Sequence, residues 1–143
     1  MISDSNILNA KILIIDDHYA NVTLLERILH HAGYTTVSST IDPYAVCKLH
    51  RANHYDLILL DINMSGIDGF QILNELKEIE TDSYLPVIVI TADPNYKLRA
   101  LAEGAIDFIA KPFDIGEAQA RIYNMLKVRL MYNELKNLRK ANE

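Results

Sequence analysis

Three short stretches, residues 12–15, 57–60 and 87–90, consist wholly of branched apolar side chains between polar flanks. A strand with one wet face alternates apolar and polar positions, so unbroken runs of this length read as strands buried on both faces. Residues 35–39 and 108–110 are weaker strand candidates. The first follows Gly33, suited to a helix end, and the second precedes Lys111 and Pro112. Between the runs the apolar residues take helical spacing: Val22, Leu25, Ile28 and Leu29, then Ile72, Leu73, Leu76 and Ile79, then Leu98, Leu101 and Ala102. Asp42 and Pro43 open another helix through Leu49, with proline where its missing N–H costs least. A last helix begins near Gly116 and Glu117 and is expected to dock through Ala118, Ile122 and Met125. Strand then helix, five times over, predicts an α/β fold: a doubly wound, five-stranded parallel sheet with helices on both faces, because parallel strands need crossover connections.

With 143 residues, half of them hydrophobic, the chain is long enough to bury a substantial core. Its net charge of −5 supplies no electrostatic footprint for a nucleic-acid backbone or an anionic membrane. No apolar run reaches the length of a membrane span and no leader pattern opens the chain, so a cytoplasmic, reducing location is expected. The lone Cys47 has no internal disulfide partner and is expected to be a buried small hydrophobe. His18, His30, His31, His50 and His54 are scattered without metal-ligand spacing and read as solvated surface. His18, directly after an acid pair, can touch the edge of whatever site those acids form.

In open parallel sheets, chemistry collects outside the carboxyl ends of the strands. The residues falling there are Asp16 and Asp17, Asp61, Thr91 and Lys111. Three carboxylates at one edge repel unless a cation holds them, and an all-oxygen set suits Mg²⁺. A carboxylate can also attack phosphorus to form an acyl phosphate, a reaction that needs positive charge around the transferring oxygens. Lys111 and the cation would supply that charge, and the Thr91 hydroxyl can donate to a phosphoryl oxygen.

Ile14-Ile15-Asp16-Asp17, Leu59-Leu60-Asp61, Ile67-Asp68-Gly69, Thr91-Ala92 and Lys111-Pro112-Phe113 together resemble the motifs of receiver domains of two-component response regulators, the CheY-like superfamily. The resemblance covers residues 11–127 and implies a flavodoxin-like sheet of order 2-1-3-4-5. It further implies that Asp61 is the phosphoacceptor, that Asp16, Asp17, Asp61 and the backbone carbonyl of Asn63 hold Mg²⁺, and that Thr91 and Lys111 hold the phosphoryl group. A histidine kinase or phosphotransfer protein would be the donor. Asn63 and Asp93 stand where the family tunes dephosphorylation, with Asp93 expected to orient a water. Phe108 stands where the family has an aromatic ring that swings inward when the switch threonine, here Thr91, moves; it lacks the hydroxyl and reads equally as a core aromatic near the last strand. Ser65 replaces a usual proline and Gly66 follows it, which predicts a less rigid loop and weaker Mg²⁺ binding than in a Ser65→Pro variant.

Residues 1–10 are expected to be a flexible lead-in, and residues 128–143 to extend the last helix beyond what a receiver needs. In that extension Val128, Met131, Leu135 and Leu138 recur at coiled-coil spacing. One reading is a frayed polar extension. The other is a seam that pairs two copies as a homodimer and leads to an output domain beyond this chain, similar to the linkers in regulators of cyclic-di-GMP turnover. Two other functions compete with the switch. A phosphatase of the haloacid-dehalogenase type would need a second acid two residues after its nucleophile, where this chain has Asn63. A docking or dimerisation module would need none of the five site residues.

Overall fold

The computed structural model describes residues 2–64, 68–80 and 85–142. Ser65, Gly66 and Ile67, and with them the expected looseness of that loop, lie outside the described residues. The strands are β1 (Lys11–Ile15), β2 (Thr36–Thr40), β3 (Leu57–Asp61), β4 (Val87–Thr91) and β5 (Asp107–Ala110), all parallel, in the order β2-β1-β3-β4-β5. The helices are α1 (Asp4–Leu8), α2 (Tyr19–His31), α3 (Val46–Asn53), α4 (Gly69–Ile79), α5 (Lys97–Ala102) and α6 (Ile115–Ala141). The expected fold class and strand order are therefore those observed.

Successive side chains of a strand point to opposite faces, and the core divides accordingly. Ile12, Ile14, Leu57, Leu59, Ile88 and Ile90 face α2 and α6. Leu13, Ile15, Ile58, Leu60, Val87 and Val89 face α3, α4 and α5. Each central strand needs apolar residues at every position because each position meets a helix on one side or the other.

Polar side chains set where several helices begin. Asp68 accepts from the N–H of Phe70 at the start of α4, and Asp114 from that of Glu117 at the start of α6. Gly33, at φ +100°, turns the chain out of α2 in the left-handed region that favours glycine. Gly69 answers to a different constraint. A Cβ there would sit 2.6 Å from the Ile62 Cα, so only glycine lets the first turn of α4 lie directly on the segment that leaves β3.

Several expectations need correction. Residues 2–10 are not a loose lead-in: Ser3 and Asn6 form a capping box, Ile7 is buried, and Asp4 accepts a hydrogen bond from the Tyr123 hydroxyl of α6. The third apolar face is wrong, because Leu98 is 81% exposed and Leu101 and Ala102 are exposed, while Ala100 is the buried residue of α5. The helix after Asp42 is a 3-10 turn, Pro43–Ala45, continuing into α3. α6 docks through Ala118, Ile122 and Leu126, with Met125 at the margin. Cys47 is half-buried, its Sγ 3.8 Å from Glu75, and burial pushes the thiol pKa up, which keeps it unreactive.

His50 is the largest departure from the surface reading. It is 2% exposed, accepts the Tyr55 N–H on Nδ1 at 3.1 Å, pairs through Nε2 with Glu80 of the segment after α4, and stacks on the Tyr55 ring. Both ring nitrogens are thus engaged, which is what burial of a histidine requires.

Candidate functional site

The switch point of the sheet lies between β1 and β3, since the chain passes from β1 to β2 on one side and returns through β3 on the other. Asp16 and Asp17 leave β1 here and Asp61 ends β3, with β1 and β3 in register from Ile12↔Leu57 to Ile15↔Leu60. Thr91 ends β4, and Lys111 follows β5, its backbone N–H donating to the Thr91 carbonyl at 2.9 Å. The five side chains expected from strand ends are therefore at one edge of one sheet.

Lys111 is the centre of the arrangement. Its Nζ donates to Asp16 Oδ2 at 3.1 Å and to Asp61 Oδ2 at 3.3 Å, joining residues far apart in sequence. The backbone closes the remaining directions: the His18 N–H donates to Asp16 Oδ1 at 2.9 Å and the Asn63 N–H to Asp61 Oδ1 at 2.9 Å. Each buried aspartate is thus held on one oxygen by its own turn and on the other by the lysine.

These contacts divide the two carboxyls. Burial alone would raise Asp16, but the His18 N–H and the Lys111 charge outweigh it and hold its pKa below the ordinary carboxylate value. Burial dominates at Asp61, aided by the Asp16 charge, and its pKa stands raised despite the Asn63 N–H and Lys111. Asp61 is the less comfortable anion of the pair.

Thr91 is fully buried, and its Oγ1 accepts the Asp93 N–H at 3.3 Å, which leaves the hydroxyl hydrogen to donate elsewhere. Asp93 itself caps the 3-10 turn Pro94–Tyr96 by accepting the Asn95 N–H at 2.9 Å. Any water-orienting role falls to its second oxygen. Phe108 is already buried, packed with Leu60, Val89 and the other apolar groups beneath α4 and α5.

One participant had a weaker signal in sequence. The His18 imidazole folds over the acids, Nδ1 lying 2.9 Å from Asp17 Oδ1 and 3.4 Å from Asp16 Oδ1. Ligand-capable atoms of Asp16, Asp17, His18 and Asp61 all fall within 4.8 Å of one another, so the group fits a single divalent cation. Position directly after the acid pair was the only sequence signal for His18. Beyond the site, Arg99 ties α5 to the start of α4: its guanidinium lies 3.8 Å from the Phe70 ring centre and 3.8 Å from Asp68 Oδ2.

Comparison with known proteins gives a consistent result. A family model described as the response regulator receiver domain matches residues 12–123. Response regulator PleD of Caulobacter vibrioides is 37% identical over 131 residues, which is 90% of this chain and 29% of PleD. The cyclic di-GMP phosphodiesterase response regulator RpfG of Xanthomonas campestris is 32% identical over 132 residues, 90% of this chain and 35% of RpfG. The chain thus spans about a third of the length of these relatives. Among solved structures, the receiver domain of the sensor histidine kinase PA1611 from Pseudomonas aeruginosa has a TM-score of 0.75 at 27% identity, covering 83% of this chain and 98% of that one. It carries a magnesium ion coordinated in its active-site cleft.

Proposed function

The chain belongs to the response regulator receiver domain family, and from that premise we propose that it is a phosphorylation switch working through Asp61. The observation that carries the reading is Lys111 Nζ bridging Asp61 Oδ2 and Asp16 Oδ2 beside a buried Thr91 hydroxyl. An Asp61 oxygen attacks the phosphorus of a phosphohistidine presented by a histidine kinase or phosphotransfer protein. The new O–P bond forms as the P–N bond breaks, and the donor's imidazole leaves. Lys111 stays against the incoming phosphoryl oxygens, needing little inward movement because it already reaches Asp61. The Thr91 hydroxyl donates to a second oxygen. Asp16, Asp17 and Asp61, with the Asn63 carbonyl, hold Mg²⁺, which when bound adds positive charge for the transferring oxygens.

Lys111, which contacts both buried aspartates, stands at the edge of an apolar groove of about 470 Å³ lined by Leu24, Leu25, Ile28, Pro112, Phe113 and Ile115. A docking helix of the donor protein would bury that groove while placing its histidine over Asp61. Phosphorylation adds charge at the end of β3 and β4. The path outward runs through Phe108 and through the Arg99–Phe70 contact to α5, whose exposed Leu98 and Leu101 await a partner. Asn63 and Asp93 flank the acyl phosphate and set its lifetime.

α6 continues the signal. Its buried residues Ala118, Ile122 and Leu126 define the face against the sheet, and Val128, Met131, Leu135 and Leu138 lie exposed on the opposite side. Valine at the first seam position and leucine at the last suit a parallel two-stranded coiled coil, so two copies pair there and pass the change to an output domain beyond the chain. Similarity to RpfG supports cyclic-di-GMP turnover as that output.

The test is intact mass after incubation with Mg²⁺ and acetyl phosphate, for wild type and Asp61→Asn. One added phosphate in wild type alone is expected. No adduct, with no Mg²⁺ binding, would leave a docking module. Many phosphates released per chain from a small ester would favour the phosphatase, against which Asn63 argues.

A further inference from the structure

The imidazole of His18 is placed in a way its helix does not explain. His18 is the N-cap of α2, a position where a short polar side chain normally folds back to accept a backbone N–H. The His18 side chain makes no such capping bond. It turns instead toward the acid pair, 2.9 Å from Asp17 Oδ1 and 3.4 Å from Asp16 Oδ1, while remaining 67% exposed. The main chain that carries it is tied to the same acids, the His18 N–H donating to Asp16 Oδ1.

Those separations have a second meaning. Neighbouring donors around one octahedral ion with bonds of about 2.1 Å stand roughly 3 Å apart. The Nδ1 of His18 therefore keeps both ion-pair distance from two carboxylate oxygens and about the spacing of an adjacent ligand on a shared cation. The two meanings differ in chemistry. Mg²⁺ is a hard ion that takes oxygen ligands and keeps water, whereas Co²⁺, Ni²⁺ and Zn²⁺ accept imidazole readily.

We propose that His18 is a nitrogen donor to the acidic pocket, so that this receiver binds borderline divalent cations such as Co²⁺ and Zn²⁺ more tightly than its carboxylates alone would, while Mg²⁺ uses the oxygens only. The inference rests on the acidic pocket being a divalent-cation site, as in the function proposed above. It makes the identity of the available metal a determinant of the site's occupancy, set by one exposed residue that is neither phosphoacceptor nor acid.

The experiment is calorimetric titration of Mg²⁺ and of Co²⁺, at one pH, into wild type, His18→Gln and Asp61→Asn. His18 is exposed, so the glutamine variant keeps the fold. His30, His31, His50 and His54 remain in every protein, so Co²⁺ held by them is common to all, and Asp61→Asn shows how far each ion depends on the acidic pocket. In His18→Gln, Co²⁺ affinity is expected to fall about tenfold while Mg²⁺ affinity stays within about twofold. The Co²⁺-loaded wild type should also show a hyperfine-shifted imidazole N–H proton that the variant lacks. A Co²⁺ affinity that falls no more than the Mg²⁺ affinity, with no shifted imidazole signal, overturns the inference and leaves His18 as an ion-pair neighbour of Asp17. Absence of Mg²⁺ and Co²⁺ binding in wild type overturns the cation site itself and this inference with it.

Discussion

Asp61, the proposed phosphoacceptor, illustrates how a residue placed for chemistry opposes the stability of the fold that carries it. Its pKa is raised by burial and by the neighbouring Asp16, so the folded state holds that proton more tightly than the unfolded chain does. The stabilisation that belongs to the protonated carboxyl is present below the ordinary carboxylate pKa and is lost as pH rises through the raised folded value. At neutral pH the ionised group therefore costs stability. Asp61→Asn, measured by thermal melting in chelator, should be more stable than wild type at neutral pH by about 1 kcal/mol, the usual size of a stability–function trade-off. The gap should close in acid, where both side chains are neutral. A lower Tm for the variant at neutral pH would mean that Lys111 compensates Asp61 fully. His50 shows burial of a polar side chain resolved differently: both ring nitrogens are engaged, by the Tyr55 N–H and by Glu80.

Among the elements, α4 is joined closely to the site, because its first turn lies on the segment leaving β3. A methyl group at position 69 would meet the Ile62 backbone, which has no flexible end to swing aside. Gly69→Ala is expected to cost about 2–3 kcal/mol by overpacking, lowering Tm by on the order of 10 °C. It should also weaken Mg²⁺ binding, since the displaced backbone is continuous with Asn63. Unchanged thermal stability would mean that the contact is not close in solution. α6 is held differently: Arg129 is buried and lies 3.5 Å from Asp56 Oδ1, beside the end where β1 and β3 begin. That anchor points the exposed seam away from the sheet.

At the scale of the whole molecule, α1 packs on α6 through buried Ile7 and the Asp4–Tyr123 hydrogen bond, covering one side of the long helix while Val128, Met131, Leu135 and Leu138 remain open on another. Because Leu135 and Leu138 are exposed in the single chain, replacing both by glutamate should leave its fold intact. If two copies pair through the seam as proposed, sedimentation equilibrium should show the phosphorylated wild type dimeric and the variant monomeric at the same concentration, a loss of at least about tenfold in association. Equal association of the two proteins would remove the seam from the account and leave α5 as the outward face.

Element order and the site's five residues were legible in the chain because each has a local cause. A strand covered on both faces must be apolar at consecutive positions, and a parallel sheet presents its polar residues where those runs stop. Resemblance added the roles of Asp61, Thr91 and Lys111 to residues that the strand ends had already singled out. Other features depended on which distant segments meet. The lysine bridge joins the ends of β1, β3 and β5. Burial of His50 depends on Tyr55 and Glu80, burial of Ala100 in place of Leu98 on how α5 lies over the sheet, and order in residues 2–10 on α6 being long enough to receive them. No local pattern encodes such meetings. Hydrophobic periodicity states that a segment has an apolar face, and only the packed structure decides what that face touches.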